Sequence, residues 1–512
     1  MKSITTIEPL VQQAQEWLQQ QKPLHLAAYL IAIYLALSIV ISAFNFAHRW
    51  IKVGFGTRNV PAAPGSNWLL GHALQLATTC AWEKMHEWVR NAPPMVRFRI
   101  LHRTGIIIND PLVIKRIFQT RFKLYDKDLD FSYQPFLSIL GTGLVTANGD
   151  HWQKQRILMA PALRIDMLDA ILPIAKRAIE RMATKIEPFR GTGQPVDIQS
   201  EFHLLTLQII GEAILSLPPE ECDRVFPSLY IPVMEESNHR VLAPWRRLYP
   251  STVWQYNSRV KKLNNYIINI LRERRAARGR GEQPKGDILD RVMTFVEERG
   301  EPWGPGVEEQ LCYEVKTFLL AGHETSAAML TWSVFELSQN EEALAAVRKE
   351  AAAALNREVP QRVDVEGMDW TLSCLKESLR KYSVVPVVTR NMNRDDEIVP
   401  GITLPAGSWI ICHLQAVHHQ YMNPMTWDPH RFLPGGEYEQ FPDDIRPYMF
   451  LPFIQGPRNC LGQYFALMES RVLLGALSEK FTFTPVDPVS QGKTHPTVIP
   501  ILPYNHMMMY VD

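Results

Sequence analysis

The feature that most limits what this chain can fold into is an uncharged apolar run near its start. Residues 24–47 read LHLAAYLIAIYLALSIVISAFNFA and contain no Asp, Glu, Lys or Arg. A helix needs about 20 such residues to cross a bilayer, whereas a cleaved signal peptide has a shorter apolar core placed nearer the first residue. The run therefore predicts one membrane-spanning helix, with a buried core helix as the alternative. The rest of the sequence has no second long uncharged run.

Charges on either side of the run predict its orientation. More positive charge follows the run than precedes it, and the cytoplasmic flank of a spanning helix is the more basic one. The downstream basic residues are His48, Arg49, Lys52 and Arg58. We expect a lumenal segment at 1–23, the transmembrane anchor at 24–47, a basic and proline-rich hinge at 48–71 and a catalytic domain in the cytosol at 72–512. The endoplasmic reticulum is the expected membrane for this single-pass topology, with another organelle as the alternative.

The body reads as one mostly helical unit with a minor β portion. Helical periodicity dominates from about residue 110 to about 355, and we expect helices at 167–186, 258–280 and about 307–340. The stretches 97–101 and 105–109 predict a pair of strands joined by a turn. No linker divides the body, so we expect a single domain.

Charge and cysteine content exclude two classes of protein. Lys and Arg number 54 against 53 Asp and Glu, which leaves a net charge of +1. A chain so balanced has no overall electrostatic reason to bind nucleic acid, and we expect no nucleic-acid partner. Six cysteines in 512 residues are too sparse for a secreted disulfide scaffold, so we expect reduced thiols in a body that faces the cytosol.

One ten-residue stretch carries chemistry, and it reads Phe453-Ile-Gln-Gly456-Pro-Arg458-Asn-Cys460-Leu-Gly462. It ends at the start of a predicted helix, where backbone N–H groups favour a thiolate at Cys460. Gly456 and Gly462 permit unusual backbone angles and the close approach of a flat ligand. Arg458 suits an acidic group on that ligand, and Phe453 can cover the sulfur. Together these features predict a single thiolate bound to a haem iron, where sulfur favours cleavage of the O–O bond.

The pattern F-x-x-G-x-R-x-C-x-G resembles that of the cytochrome P450 family of haem-thiolate monooxygenases. The resemblance covers nearly the whole chain, because other family motifs follow in the family's order. It implies a mainly α fold with a minor β portion, built as a single large cytochrome P450-like domain after the N-terminal transmembrane helix. It also implies haem b as the cofactor, with Cys460 as the axial ligand of the iron.

Two further motifs resemble parts of the family that hold the haem propionates. Trp152 and Arg156 in HWQKQR resemble its W-x-x-x-R helix, and their spacing of four puts both on one helical face. Arg390 follows Arg380 by ten residues and resembles another arginine that binds a propionate. These three residues, with Phe453, Arg458, Cys460 and Gly462, are expected to contact the cofactor.

Ala321-Gly-His-Glu-Thr325 lies in the long predicted helix and resembles the family's oxygen-binding motif. A small residue at Ala321 leaves room for a ligand beside the haem. Glu324 and Thr325 place an acid next to a hydroxyl, which suits proton delivery during oxygen activation. We therefore expect Glu324 and Thr325 to be catalytic and Ala321 to border the cofactor.

A third set of residues resembles a structural element of the family. Glu377 and Arg380 have the E-x-x-R spacing, and Arg431 in WDPHRF is the candidate third member. We expect these residues to stabilise the fold and to do no chemistry. The segment 381–388 departs from the family pattern, because it lacks the usual double proline, and this affects the expected shape of the substrate pocket.

The resemblance implies an enzyme that inserts one oxygen atom of O2 into a lipophilic substrate, by hydroxylation or epoxidation. A terpenoid, a sterol, a fatty acid or a similar small molecule fits this class. Electrons would come from NADPH through NADPH-cytochrome P450 reductase, with cytochrome b5 as a further candidate partner, and the chain would contact membrane lipid. The alternatives are a haem-thiolate isomerase or dehydratase acting on a peroxide, and a non-enzymatic haem-binding sensor. Glu324 and Thr325 favour the monooxygenase, because neither alternative needs protons for O2.

Overall fold

The computed structural model describes residues 23–90, 94–163, 165–496 and 499–512. The segment 1–22, most of the predicted lumenal part, lies outside the described residues. Within them, the α-helices of ten or more residues are α1 (Pro23–Gly56), α2 (Ala81–Arg90), α3 (Gly149–Met159), α4 (Ile165–Ile186), α5 (Ile198–Leu215), α6 (Ile231–Leu242), α7 (Pro250–Gly279), α8 (Ile288–Glu298), α9 (Pro305–Leu337), α10 (Glu341–Ala354), α11 (Asp369–Tyr382) and α12 (Gln463–Lys480). Shorter α-helices span Ala73–Thr78, Pro111–Lys115, Leu137–Leu140, Pro219–Val225, Arg362–Glu366, Leu414–His418, Glu437–Gln440, Arg446–Met449 and Pro488–Gln491.

Ten strands form three small sheets among the described residues. The strands are β1 (Met95–Ile100), β2 (Arg103–Ile108), β3 (Tyr125–Asp126), β4 (Val196–Asp197), β5 (Val387–Met392), β6 (Asp396–Val399), β7 (Ile402–Leu404), β8 (Trp409–His413), β9 (Phe483–Pro485) and β10 (Met508–Val511). The largest sheet has the order β1-β2-β8-β5-β3, in which β2 and β8 are parallel and the other pairs are antiparallel. The others have the order β4-β10-β9 and β6-β7.

These elements confirm the mainly α prediction with a minor β portion. The predicted helices at 167–186, 258–280 and 307–340 correspond to α4, α7 and α9, and the predicted strand pair corresponds to β1 and β2, with Met95 opposite Ile108. Several helices begin at a polar cap. The Asp197 side chain accepts from the Ser200 N–H at the start of α5, and Asn340 accepts from the Ala343 N–H at the start of α10. Such caps satisfy backbone donors that a helix leaves open at its first turn.

The 33-residue helix α9 runs through the core and packs against α5, α11 and α12. Its second half is almost entirely buried. At Gly322 the chain approaches α5 closely, because a Cβ there would lie 2.7 Å from the Cδ1 atom of Ile210. Helix α12 packs in turn against α4 and α10, and a Cβ on Gly475 would lie 3.3 Å from the Cβ atom of Ala351 on α10. The packing of α9 on α12 therefore fixes the start of α12, and the loop that carries Cys460 lies directly before it.

The predicted membrane span lies within α1. Its part Ala32–Gly56 is long and apolar enough to cross a membrane, and the most apolar stretch has no residue buried in the body. The helix continues beyond residue 47 to Gly56, so the first part of the expected hinge is helical. At its end Lys52 forms an ion pair of 3.2 Å with Asp395.

The remainder of the expected hinge is attached to the sheet. The Ala63 N–H donates to the Arg97 carbonyl oxygen at 2.8 Å, and the Arg97 N–H donates to the Pro61 carbonyl oxygen at 2.7 Å. Gly71 pairs with Ile100 farther along β1. The segment that leaves the anchor is thus joined to the edge of the sheet by backbone hydrogen bonds, which fixes the body close to the end of α1.

Candidate functional site

The loop that carries Cys460 folds back on itself before α12. The Cys460 N–H donates to the Phe453 carbonyl oxygen at 2.8 Å, and the Asn459 N–H donates to the Gly456 carbonyl oxygen at 3.0 Å. Cys460 therefore stands three residues before the first residue of α12, close to the N–H groups of its first turn. Phe453, predicted to cover the sulfur, is tied to Cys460 through its own backbone.

The two glycines of this loop have different reasons to be glycine. Gly456 has a φ of +80°, a conformation that side chains disfavour. A Cβ on Gly456 would also overlap the carbonyl oxygen of Phe118. Gly462 has ordinary negative φ, and a Cβ there would meet no protein atom within 4 Å. The protein itself therefore requires glycine at 456 but does not require it at 462, where open space fits the predicted close approach of a ligand.

Cys460 differs from the other cysteines in its exposure. The five buried cysteines are Cys80, Cys222, Cys312, Cys374 and Cys412, whereas Cys460 is exposed. Burial raises the pKa of the Cys412 thiol to about 12. The surrounding protein also raises the pKa of Cys460, but the Gly462 N–H and the Arg156 guanidinium act in the opposite direction. Cys460 is thus the exposed thiol, and two neighbouring groups favour its thiolate although its pKa is raised overall.

Three predicted arginines lie around this loop. Arg156 is on α3, and Arg458 contacts α3 and the residue Ala147 that precedes it. Arg156 donates from Nη1 to the Asn459 carbonyl oxygen at 2.7 Å and from Nη2 to Asn459 Oδ1 at 2.6 Å. The Arg458 guanidinium lies 4.3 Å from the centroid of the Trp152 ring and donates to the Ala147 carbonyl oxygen at 3.1 Å. Trp152 and Arg156 thus both contact residues of the Cys460 loop.

The third arginine comes from the sheet, and a lysine joins it. Arg390 is buried on β5, donates to the Thr389 carbonyl oxygen at 2.8 Å and lies 5.3 Å from the centroid of the Phe118 ring. Lys127 donates from Nζ to the Val145 carbonyl oxygen at 2.7 Å. The sequence analysis missed Lys127, because a lone lysine in an irregular segment carries no motif.

Four cations, Lys127, Arg156, Arg390 and Arg458, thus lie close to this loop. Burial, followed by the charge of Arg390, lowers the pKa of Arg458 to about 10. Burial and the three arginines hold the pKa of Lys127 well below its usual range. The negative charge of Asp126 raises the pKa of Arg458, although the two side chains form no ion pair. None of the four forms an ion pair with a carboxylate of the residues that the structure describes, and Arg458 Nε is buried without a hydrogen-bond partner.

The residues around Cys460 fit haem. Four cations without an acidic partner suit a ligand that carries two carboxylates, and an orphaned buried guanidinium N–H is costly unless a ligand accepts from it. An accessible thiol supported by a helix start suits an iron ligand. The donor set therefore agrees with a flat, dianionic cofactor bound through sulfur.

The predicted oxygen-binding motif lies in the middle of α9. Ala321 is exposed, and the Thr325 hydroxyl donates to its carbonyl oxygen at 2.7 Å. Burial raises the pKa of the Glu324 carboxyl to about 7. A carboxyl with such a pKa can hold and release a proton near neutral pH. Among the described residues no hydrogen bond or ion pair joins this motif to the Cys460 loop, and the two are connected through the packing of α9 on α12.

Glu324 has neighbours that the sequence did not reveal. His323 Nε2 lies 3.9 Å from Glu324 Oε1. The Tyr230 ring is edge-on to the His323 ring, with centroids 5.4 Å apart. Tyr230 is fully buried, and its hydroxyl has no hydrogen-bond partner in the part of the chain that the structure describes. An isolated tyrosine about ninety positions away carries no sequence signal for this role.

The predicted structural triad is confirmed. Arg380 donates from Nε to Glu377 Oε2 at 2.7 Å, and both side chains are 0% exposed. Arg431 Nε lies 3.3 Å from Glu377 Oε1 and also pairs with Glu437, a fourth member that the sequence did not indicate. Arg380 further donates to the Pro424 carbonyl oxygen at 2.7 Å. The set joins α11 to the segment that contains Pro424, Arg431 and Glu437, which agrees with the predicted structural role.

The histidines at 413, 418 and 419 are engaged in hydrogen bonds. His413 Nε2 contacts the Trp82 carbonyl oxygen at 2.7 Å. His418 contacts the Ser383 hydroxyl at 2.7 Å and accepts from the Leu451 N–H at 2.8 Å. His418 thereby links the end of α11 to the start of the Cys460 loop.

Comparison with known proteins identifies relatives of this fold and site. The family model named Cytochrome P450 matches residues 61–508. Cytochrome P450 4c21 of Blattella germanica is 27% identical over 496 residues, which cover 90% of this chain and 95% of that protein. Cytochrome P450 4X1 of Homo sapiens is 27% identical over 525 residues, which cover 97% of this chain and 98% of that protein.

Two further relatives bear on function and on fold. A Homo sapiens protein named ultra-long-chain fatty acid omega-hydroxylase is 26% identical over 483 residues, which cover 86% of each chain. The crystal structure of the cytochrome P450DA heme domain superposes with a TM-score of 0.76 at 22% identity. It covers 88% of this chain and 97% of that one, and it shows the fold.

Proposed function

This chain belongs to the cytochrome P450 family, and from that premise we propose that it is a membrane-anchored monooxygenase of lipophilic substrates with Cys460 as its haem ligand. The family consists of oxidoreductases that bind haem through a cysteine thiolate. The further elements of the proposal are the domain limits, the roles of individual residues, the substrate class, the electron donor and the membrane.

The observation that carries the assignment of the haem site is the exposed thiol of Cys460 beside four cations that lack an acidic partner. Arg458 and Arg390 would bind the propionate carboxylates, with Lys127 as an additional donor. Trp152 holds the Arg458 guanidinium through its ring, and Arg156 holds Asn459 and therefore the position of Cys460. Phe453 and Gly462 complete the wall around the sulfur.

Bound haem with a thiolate ligand supplies the reductive activation of O2. The protein contributes protons and exclusion of water on the side of α9. Glu324 is proposed to hold a proton that it can release near neutral pH, because burial raises its pKa to about 7. The Thr325 hydroxyl donates a hydrogen bond to the Ala321 carbonyl oxygen in the structure. We propose that this hydroxyl relays the proton from Glu324 on the side of α9 that carries Ala321.

The proposed substrate class is a lipid, and a fatty acid is the first candidate. The support is the name of one relative, the ultra-long-chain fatty acid omega-hydroxylase, which shares 26% identity. Terpenoids and sterols are the other candidates that the sequence leaves open. The reaction proposed is insertion of one O2-derived oxygen atom into a C–H bond, with NADPH as the source of electrons through NADPH-cytochrome P450 reductase or, for one electron, cytochrome b5.

The experiment combines the full chain, the reductase and NADPH in lipid vesicles under isotopically labelled O2. Fatty acids of increasing length, a sterol and a terpenoid are supplied in separate reactions. We expect a hydroxylated product that carries one labelled oxygen atom and depends on NADPH. Rearrangement of a lipid hydroperoxide without reductase, together with no labelled product from any lipid, would contradict the proposal and favour the isomerase.

The proposed topology places α1 in the endoplasmic reticulum membrane, with residues 1–23 in the lumen and the catalytic domain 72–512 in the cytosol. The length and exposure of Ala32–Gly56 support it, as does the basic flank after residue 47. Protease treatment of intact microsomes tests the orientation. Digestion of the body without detergent is expected, and protection of the body would invert the topology and remove a cytosolic reductase as the partner.

A further inference from the structure

The buried hydroxyl of Tyr230 is an unexplained polar group. The residue ends the π-helical turn Phe226–Tyr230, and its side chain is 0% exposed. Within the described residues its hydroxyl has no hydrogen-bond partner. A buried donor without an acceptor destabilises a fold, so such a group in a well-packed core calls for an explanation. Its surroundings supply one.

Tyr230 packs against the middle of α9, at His323, the residue next to Glu324. Its ring is edge-on to His323 at 77°, and the negative charge of Glu324 adds to burial in holding the pKa of Tyr230 well above its usual range. Tyr230 is therefore neutral and able only to donate its O–H to a carboxylate. Glu324 is the carboxyl whose charge acts on Tyr230.

His323 offers Glu324 a hydrogen-bond acceptor, whereas Tyr230 offers it a donor. Its Nδ1 is 2.9 Å from the Leu319 carbonyl oxygen, which can only accept, so Nδ1 carries the hydrogen. Burial lowers the pKa of His323 to about 3, so the ring is neutral and Nε2 has a free lone pair. That nitrogen lies 3.9 Å from Glu324 Oε1. A protonated Glu324 can approach and donate to it, whereas an ionised Glu324 is repelled by it.

The other groups near Tyr230, His323 and Glu324 add no charge that would change the ionisation of Glu324. His203 on α5 lies behind His323, with ring centroids 6.3 Å apart, and burial keeps it neutral by lowering its pKa. Thr206 on α5 donates to the His323 carbonyl oxygen at 3.0 Å and fixes that turn of α9. Burial is the cause of the raised Glu324 pKa, and no described charge adds to it.

We propose that Tyr230 is a positioning residue for Glu324. When Glu324 gives up its proton, the Tyr230 O–H donates a hydrogen bond to the carboxylate. When Glu324 is protonated, its O–H donates to His323 Nε2 instead. Glu324 then has a partner in each protonation state and can move between the two by rotation of its side chain. This inference rests on the proposed proton-delivering role of Glu324. It also gives a use to the buried Tyr230 hydroxyl, which has no hydrogen-bond partner among the described residues.

The test is a titration of Glu324 in the haem-loaded full chain, followed by the infrared carbonyl band that Glu324→Gln removes. Tyr230→Phe deletes a donor to the ionised form, so the pKa of Glu324 is expected to rise by about one unit. The melting temperature should stay the same or rise, because the deleted hydroxyl has no partner in the resting state. Tyr266→Phe is the matched control, since the Tyr266 hydroxyl donates to Glu221 at 3.0 Å, away from Glu324. It should leave the titration unchanged.

A second readout follows coupling, the product formed per NADPH consumed. Glu324 delivers a proton only when protonated, so coupling falls as pH rises through its pKa, and Tyr230→Phe should move that midpoint upward. An unchanged Glu324 titration, or a fall in the amount of folded protein, would overturn the positioning role. The infrared titration needs no substrate, so a shifted pKa with no oxygenated product from any lipid would contradict the proposed function and leave the positioning of Glu324 intact.

Discussion

Arg156 donates through both of its terminal nitrogens to Asn459, the residue directly before Cys460, at 2.7 Å to the carbonyl oxygen and 2.6 Å to Oδ1. The guanidinium is partly buried, and burial lowers its pKa while the charge of Cys460 raises it. Helix α3 thus holds the Cys460 loop through a planar pair of hydrogen bonds. Such a pair fixes direction as well as distance.

Asn459→Ala should loosen the Cys460 loop. The change removes one of the two charge-assisted bonds and leaves an Arg156 N–H unpaired, at a cost of about 1–3 kcal/mol. We expect lower haem content and faster haem loss to an apo-myoglobin acceptor. Asn505→Ala is the matched control, because the Asn505 amide donates to Ser490 at an exposed position. Equal haem retention in both variants would show that Arg156 does not act through Asn459.

Glu377→Ala should prevent accumulation of folded protein. The carboxylate has no exposed surface and accepts from Arg380 and Arg431. Removing it leaves two buried cations without that partner, at a cost of about 3–5 kcal/mol. Expression and haem content are the measurements. Glu366→Ala breaks the exposed pair with Arg362 and should cost under about 1 kcal/mol. A well-folded, haem-loaded but slow Glu377→Ala enzyme would contradict the structural role.

Thr325→Val should uncouple electron consumption from product. The Thr325 hydroxyl is within α9 at the proposed proton path, bonded to the Ala321 carbonyl oxygen at 2.7 Å. We expect normal haem content, more hydrogen peroxide and several-fold less product per NADPH. Thr331→Val is a matched control on the same helix, because the Thr331 hydroxyl makes the same 2.7 Å bond to Ala327 at a fully buried site. Equal coupling in the two variants would remove Thr325 from the mechanism.

Glu314 makes stability depend on pH. Burial raises the pKa of this carboxyl to about 7, although it accepts from the Leu144 N–H at 3.0 Å and from Gln310 at 2.9 Å. A folded-state pKa above the usual 4.5 means that the folded protein binds the proton more tightly. The contribution of Glu314 to stability is therefore fully present below about pH 4.5 and is lost as pH rises to about 7.

Glu314→Gln should cross the wild type in stability as pH rises. At about pH 5 the variant lacks one acceptor for Gln310 and should be less stable by about 1 kcal/mol. At about pH 8 it avoids a buried negative charge and should be more stable by about 2 kcal/mol. Urea unfolding at the two pH values measures the difference. Parallel curves at both would show that Glu314 does not ionise in this range.

Much of the architecture could be predicted because its signals are local. The apolar run at 24–47, the periodicity of α4, α7 and α9, and the strand pair β1 and β2 all depend on nearby residues. The ten-residue motif around Cys460 likewise contains its own turn and helix start. The extension of α1 to Gly56 was missed, because helix ends depend on contacts such as the ion pair between Lys52 and Asp395, 343 positions apart.

The site could be predicted only where its residues belong to a motif. Trp152, Arg156, Arg390 and Arg458 were predicted because they resemble family motifs, and in the structure they lie near the Cys460 loop. Lys127 and Tyr230 were not found, because the roles proposed for them depend on the long-range packing of an irregular segment and of a π-helical turn. A pKa such as that of Glu324 also depends on burial, which no local pattern reports.

The most direct test of the central claim is the carbon-monoxide spectrum of the reduced protein, compared between wild type and Cys460→His. Cys80→Ser controls for the loss of a thiol that is buried elsewhere. The wild type and Cys80→Ser should show the red-shifted band of thiolate-ligated ferrous haem, and Cys460→His should bind haem without that band. Persistence of the band in Cys460→His would contradict the assignment of Cys460 as the iron ligand.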